Sequence, residues 1–249
     1  MARIAINAPT ELELPFPGAT GRGVRIAVID SGVNANHPHI IAPIQPVFLD
    51  SFDEEHSIED HAGHGTAVMA AIQEKAPEAE YFVIRLFGRS LRTSAARLIE
   101  AIRWSVENRM NVVNLSLGTT NQDARRELQE LAGRARESGV LLISARSASP
   151  EPTLPGALPE VIGVDVDWEL PRQRYRVITA SDSQHFIASG FPRPLPGMPP
   201  TRNLHGISFA VANMTGFAAR AHQMVEFGTF SSVCDALSRE SHRLQVQQT

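Results

Sequence analysis

Lysine is almost missing from this chain, Lys75 being the only one, and cysteine is represented by Cys234 alone. A single thiol cannot close an internal disulfide, which excludes the cross-linked secreted scaffolds and leads us to expect a reducing, cytoplasmic setting. Long apolar runs are lacking as well. None approaches the roughly 18 to 20 residues that cross a bilayer, so no membrane association is expected. The opening stretch MARIAINAPTELELPFPGAT carries prolines and acids where a secretory signal has an apolar core and a small-residue cleavage site. A strong charge of one sign is also absent. Lys plus Arg total 23 against 27 for Asp plus Glu, a formal net charge of −4, and the arginines form no run. This excludes a nucleic-acid protein that works by bulk charge.

What is present is material for a core: 43% of the 249 residues are hydrophobic, too many for a disordered chain. We read residues 1–249 as a single domain, with 1–22 as an N-terminal extension and 229–249 as a C-terminal helix. Short apolar, β-branched runs at Val24–Ile29, Tyr81–Leu86, Asn111–Leu117, Val140–Ile143, Val161–Val166 and Arg174–Thr179 predict buried strands. Between them, Thr93–Asn108 and Asp123–Glu137 space their apolar residues as helices do. Strand, helix, strand is the rhythm of an α/β protein: a three-layer, doubly wound, mainly parallel sheet. Ligands of such folds bind at the carboxyl ends of the strands.

Three features stand at such ends or at helix starts. Asp30-Ser31-Gly32 follows the strand VRIAVI, Gly63-His64-Gly65-Thr66 opens an apolar helix, and Gly206-Ile207-Ser208-Phe209-Ala210 leads into the small-residue helix VANMTGFAARA. Each alone fits an ordinary role: a turn carboxylate, one of nine histidines, a helix-capping serine. Jointly they supply a carboxylate, an imidazole and a hydroxyl in the chain order Asp, His, Ser, one of the orders in which catalytic triads occur.

The motifs resemble those of the subtilisin-like serine peptidases. The matching stretches are GATGRGVRIAVIDSGVNANHP, DHAGHGTAV, PEAEYFVIRLFG, VVNLSLG and GISFAVANMTG. The resemblance implies a subtilisin-like fold and peptide-bond hydrolysis through an acyl-enzyme, with Ser208 as nucleophile, His64 as general base and Asp30 fixing the imidazole. It implies that Ser116, Leu117 and Gly118 form an edge strand for an extended peptide or unfolded protein substrate. No cofactor is required for such catalysis. A structural calcium at a loop carboxylate is compatible with the sequence, and the oligomeric state is not expressed in it.

The chain departs from the family pattern where an asparagine amide usually donates to the oxyanion. It reads GVLLISARSASPEP there, so that Ala148 or, with a two-residue shift, Arg146 takes the place. Arg146, Ser147, Asn203 and Asn213 are the substitutes to consider. Loss of such a donor costs about a hundred- to a thousandfold in turnover. Two alternatives follow: a slow or selective enzyme, or a catalytically impaired peptide-binding module. Arg146 would favour acidic or polar side chains before the scissile bond. A housekeeping endopeptidase and a maturation protease that trims one genetically linked peptide are both compatible with this pattern. The segment ahead of the first strand is too short for an independent inhibitory domain, so Glu11–Gly18 is expected to lie across the cleft as a short inhibitory strand. A metal site built from Asp53, Glu54, Glu55, His56, Asp60, His61 and His64 is the competing chemistry, although the HGT motif explains His64 without it.

Overall fold

The computed structural model describes residues 13–246 apart from 50–55, 88–92, 148–150, 181–182 and 200–201. The strands β1 (Arg25–Asp30), β2 (Ile44–Val47), β3 (Glu80–Arg85), β4 (Val112–Leu115), β5 (Leu141–Ala145), β6 (Ile162–Val166), β7 (Tyr175–Ala180) and β8 (Ser183–Ala188) form one sheet. Their spatial order is β2-β3-β1-β4-β5-β6-β8-β7. Every neighbouring pair is parallel except β7 and β8.

Apolar runs serve as strands here because both faces of the sheet are covered. In β1, Ile26 and Val28 face helices α1 (His64–Gln73), α4 (Ile207–Met224) and α5 (Phe230–Val246), while Ala27 and Ile29 face α2 (Ala95–Glu107) and α3 (Arg125–Glu137). Successive side chains point to opposite faces, so a strand buried on both has no polar period to display. The expected three-layer α/β architecture is thus the one observed. Helix α4 runs through one layer and is buried continuously from Phe209 to Ala221. Its small residues permit this: a Cβ on Gly216 would come within 2.7 Å of the Lys75 Cβ.

The sequence reading missed two strands. Strand β2 contains Pro46 and lies at the sheet edge, where an absent N–H removes no ladder bond. Among the described side chains of β8 only Phe186 and Ala188 are buried, so it lacks the continuous apolar run that marked β1 and β3 to β6; β7, expected as a buried strand, lies at the other sheet edge and buries only Tyr175. Among the described residues, no helix is long and apolar enough to cross a membrane.

The N-terminal segment does not follow expectation. Residues 13–18 pack at the end of α4 far from Ser208: the Arg220 guanidinium donates to the carbonyls of Pro15 (2.7 Å), Phe16 (2.9 Å) and Lys75 (2.9 Å), and Glu240 accepts from the Phe16 N–H at 2.8 Å. The twelve residues from Ser208 to Arg220 span roughly 18 Å of helix. A strand across the cleft is therefore not formed by this part of the segment. Glu11 and Leu12 lie outside the described residues.

Candidate active site

The site begins at the carboxyl end of β1. Asp30 is its last residue and is 1% exposed. Its Oδ1 accepts from the Ser31 N–H at 2.7 Å and lies 2.8 Å from Nδ1 of His64, the first residue of α1. Gly63, just before it, adopts a left-handed φ of 73°, a turn that glycine makes at no steric cost.

A second carboxylate sets the angle of entry into α1. Asp60 accepts from the N–H groups of Ala62, Gly63 and Thr66 and from the hydroxyls of Ser31 and Thr66. The N-terminal N–H groups of a helix have no intrahelical acceptor, and Asp60 supplies one while placing negative charge at the positive helix end. The Ser31 hydroxyl also accepts from the Gly65 N–H at 2.9 Å, which ties α1 to β1 directly. Burial alone would pull the His64 imidazole pKa down. The hydrogen bond and charge of Asp30, with the charge of Asp60 beyond it, outweigh burial and hold the ring above its ordinary value.

Ser208 sits in the first turn of α4, where the helix end is positive; in that turn the Phe209 N–H is taken by the Gly206 carbonyl at 3.0 Å. Its neighbour Phe209 packs on the His64 ring, with centroids 5.5 Å apart. The starts of the two helices therefore meet beside the Asp30–His64 pair. The Ser208 Oγ donates to the carbonyl of Ser116 at 3.0 Å, and among the described residues it makes no hydrogen bond to His64.

Ser116, Leu117 and Gly118 continue β4 beyond its last ladder pair. Among the described residues, no backbone–backbone hydrogen bond engages them. Their amides are thus unpaired, the condition for adding a further strand. Beneath them is a network that sequence reasoning did not detect. The Asn114 Nδ2 donates to the Ser116 Oγ at 2.7 Å, and the Thr215 hydroxyl of α4 donates to the Asn114 Oδ1 at 3.0 Å. Asn114 is fully buried in an otherwise apolar strand, and a lone polar residue in such a run was the available signal.

The residues considered as oxyanion donors are committed elsewhere. The Arg146 guanidinium pairs with Asp165 at 3.2 Å, and the Ser147 hydroxyl donates to the same carboxylate at 2.9 Å. Asn203 gives its amide to the Arg193 carbonyl at 3.3 Å, and Asn213, inside α4, gives its own to Ser189 and Phe191. Ala148 lies outside the described residues, as do Asp53, Glu54 and Glu55 of the considered metal cluster. Among the described residues, no three His, Cys, Asp or Glu side chains are placed to hold a metal ion.

Comparison with known proteins agrees with this geometry. The model of the subtilase family matches residues 21–165. The minor extracellular protease Epr of Bacillus subtilis (strain 168) is 32% identical over 185 residues, 70% of this chain and 28% of Epr. Subtilisin Savinase of Lederbergia lenta is 33% identical over 141 residues, 53% of this chain and 50% of that protein. The chain thus spans half or less of the length of these two relatives. Among solved structures, a cold adapted subtilisin-like serine proteinase superposes with a TM-score of 0.68 at 22% identity, covering 89% of this chain and 83% of that one. The prenylagaramide maturation protease PagA gives 0.58 at 25% identity, over 80% and 75%. With more than half of its length matched by that model, the chain belongs to the subtilase family.

Proposed function

We propose that this protein is a serine endopeptidase that hydrolyses peptide bonds through an acyl-enzyme. The observation that carries the reading is the 2.8 Å pairing of Asp30 with His64 Nδ1 beside the first turn of α4, which holds Ser208. A serine hydroxyl is a weak nucleophile at neutral pH and needs a base to take its proton during attack. With Nδ1 held by Asp30, Nε2 is the nitrogen left to act. The Ser208 Oγ bonds to the substrate carbonyl carbon, its proton passes to His64, and the imidazolium formed is stabilised by Asp30. His64 then gives the proton to the departing amine, and water releases the acyl group by the same steps. The Ser208 N–H, which has no intrahelical acceptor, would supply a donor for the oxyanion.

An extended substrate would pair with Ser116–Gly118, and the absence of backbone–backbone hydrogen bonds to them among the described residues supports this placement. Similarity to PagA, a maturation protease, supports a processing role over general digestion. A peptide-binding module with negligible turnover is the second reading, favoured by the commitment of the Arg146, Ser147, Asn203 and Asn213 donors elsewhere. A serine-directed fluorophosphonate probe separates the two. Labelling at Ser208, abolished in Ser208→Ala and reduced in His64→Ala, identifies the enzyme; folded protein that takes up no label is the binding module.

A further inference from the structure

Between the start of α1 and residues 192–198 and 202–204 lies a cavity of about 360 Å³. It is a different part of the cleft from the strand already described: no residue of 116–119 or of the β5 end lines it. Gly63, Ala67 and Ala70 contribute one wall and, being small, leave the space open. Gly63 adjoins His64, and on the opposite wall Leu204 precedes Ser208 by four residues. A substrate that extends from Ser116–Gly118 past Ser208 enters this chamber with the half of the chain that leaves first.

The polar groups of the chamber are mostly cationic or proton-donating. His37, His39, Arg193 and Arg202 line it, and the one acid among them is Asp60. That carboxylate is saturated by five donors from residues 31 and 62–66 and has no capacity left for the arginines. Arg193 donates only to the His39 carbonyl, at 3.4 Å, and among the described residues neither Arg193 nor Arg202 is in an ion pair. A chain with a net charge of −4 therefore gathers, at one end of its cleft, two arginines that have no carboxylate partner among the described residues. Met198 and Leu204, 42% and 44% exposed, add an apolar rim.

We propose that this chamber is a subsite for a carboxylate on the leaving half of the substrate, within about three residues of the scissile bond at some 3.3 Å per residue, with Arg193 and Arg202 as its recognition groups. Guanidinium forks bind carboxylates through paired, charge-assisted hydrogen bonds, and the rim takes an apolar neighbour. The carboxylate comes either from an Asp or Glu side chain or from the free end of the substrate. The inference rests on the peptidase reading for the direction of the bound chain.

The test uses full-length Ser208→Ala protein and fluorescein-labelled peptides that span the scissile bond. These differ only in Glu or Gln at the second residue past the bond, and in an acid or amide terminus. Binding is measured by anisotropy. One acidic form is expected to bind about five- to tenfold more tightly than its neutral twin. That advantage should fall to under twofold in the Arg193→Gln, Arg202→Gln double variant, with the neutral peptide bound as before. The arm that shows the effect names the source of the carboxylate. Equal binding of acidic and neutral peptides in both arms, or an advantage that survives the double variant, overturns the proposal. Wild-type turnover is read separately. A binding preference without turnover refutes the peptidase and leaves the subsite standing, whereas turnover without a preference does the reverse.

Discussion

A Cβ placed on Gly65 would lie 2.1 Å from the carbonyl oxygen of Gly32 and 3.1 Å from Oδ1 of Asp30. Glycine here fixes how closely α1 approaches β1, and so the distance between base and acid. Gly65→Ala should push the start of α1 away from Asp30 while leaving the sheet intact. We expect kcat/KM to fall about a hundredfold and stability by about 1–3 kcal/mol. Steady-state kinetics and thermal melts check both, and unchanged activity would show that the approach does not govern the pair.

The pH profile tests the electrostatics of His64. Its pKa is raised above the ordinary 6.5, and only the neutral ring can accept the Ser208 proton. The acid limb of kcat/KM should therefore lie above 6.5 in the wild type. In Asp30→Asn that limb should move down and kcat should fall by roughly ten-thousandfold. The linkage to stability has the opposite sign: a raised pKa favours the folded state when protonated, so this contribution is present at low pH and lost as pH climbs through the folded value.

A second charged cluster should dominate stability outside the neutral range. Burial would push the Glu74 carboxyl up, but Lys75 and Arg172 hold it down at about 2, below its usual 4.5. Its contribution is present above 4.5 and disappears as pH falls toward 2. Lys75 is pushed down to about 7 by burial, with Arg172 adding to the shift. Between about 7 and 10.5 the unfolded chain retains a proton that the folded chain has shed, so stability should rise with pH across that window. Lys75→Met should flatten the rise, and melting temperatures measured from pH 6 to 11 would reveal it.

Trimming the chain to Gly18 removes the Pro15 and Phe16 carbonyls from Arg220, which is 6% exposed. Buried donors without acceptors cost about 1–3 kcal/mol each. The trimmed protein should lose stability in denaturant titrations and gain no activity. A rise in activity at constant stability would restore the idea of an inhibitory strand.

Much of this was legible in the sequence, for physical reasons. The strands buried on both faces, such as Val112–Leu115, announced themselves as apolar runs, and Asp30, His64 and Ser208 stood where such runs end or helices begin. Strand β8 was hidden because half-burial breaks the run, and β2 because Pro46 reads as a breaker unless one knows that the strand is at an edge. The supporting polar shell was also hidden. Apart from Ser31, Asp60 gathers neighbours within six residues and could have been suspected as a helix cap, but the link from Thr215 to Asn114 joins residues 101 apart in sequence and exists only through the fold. Arg146 was misleading because position alone does not show that Asp165, on the adjacent strand, occupies its guanidinium.

The bond from the Ser208 hydroxyl to the Ser116 carbonyl has a further consequence. That oxygen belongs to the segment with which, on the proposed reading, an extended chain would pair, so an arriving amide would compete for it and free the alcohol for the imidazole.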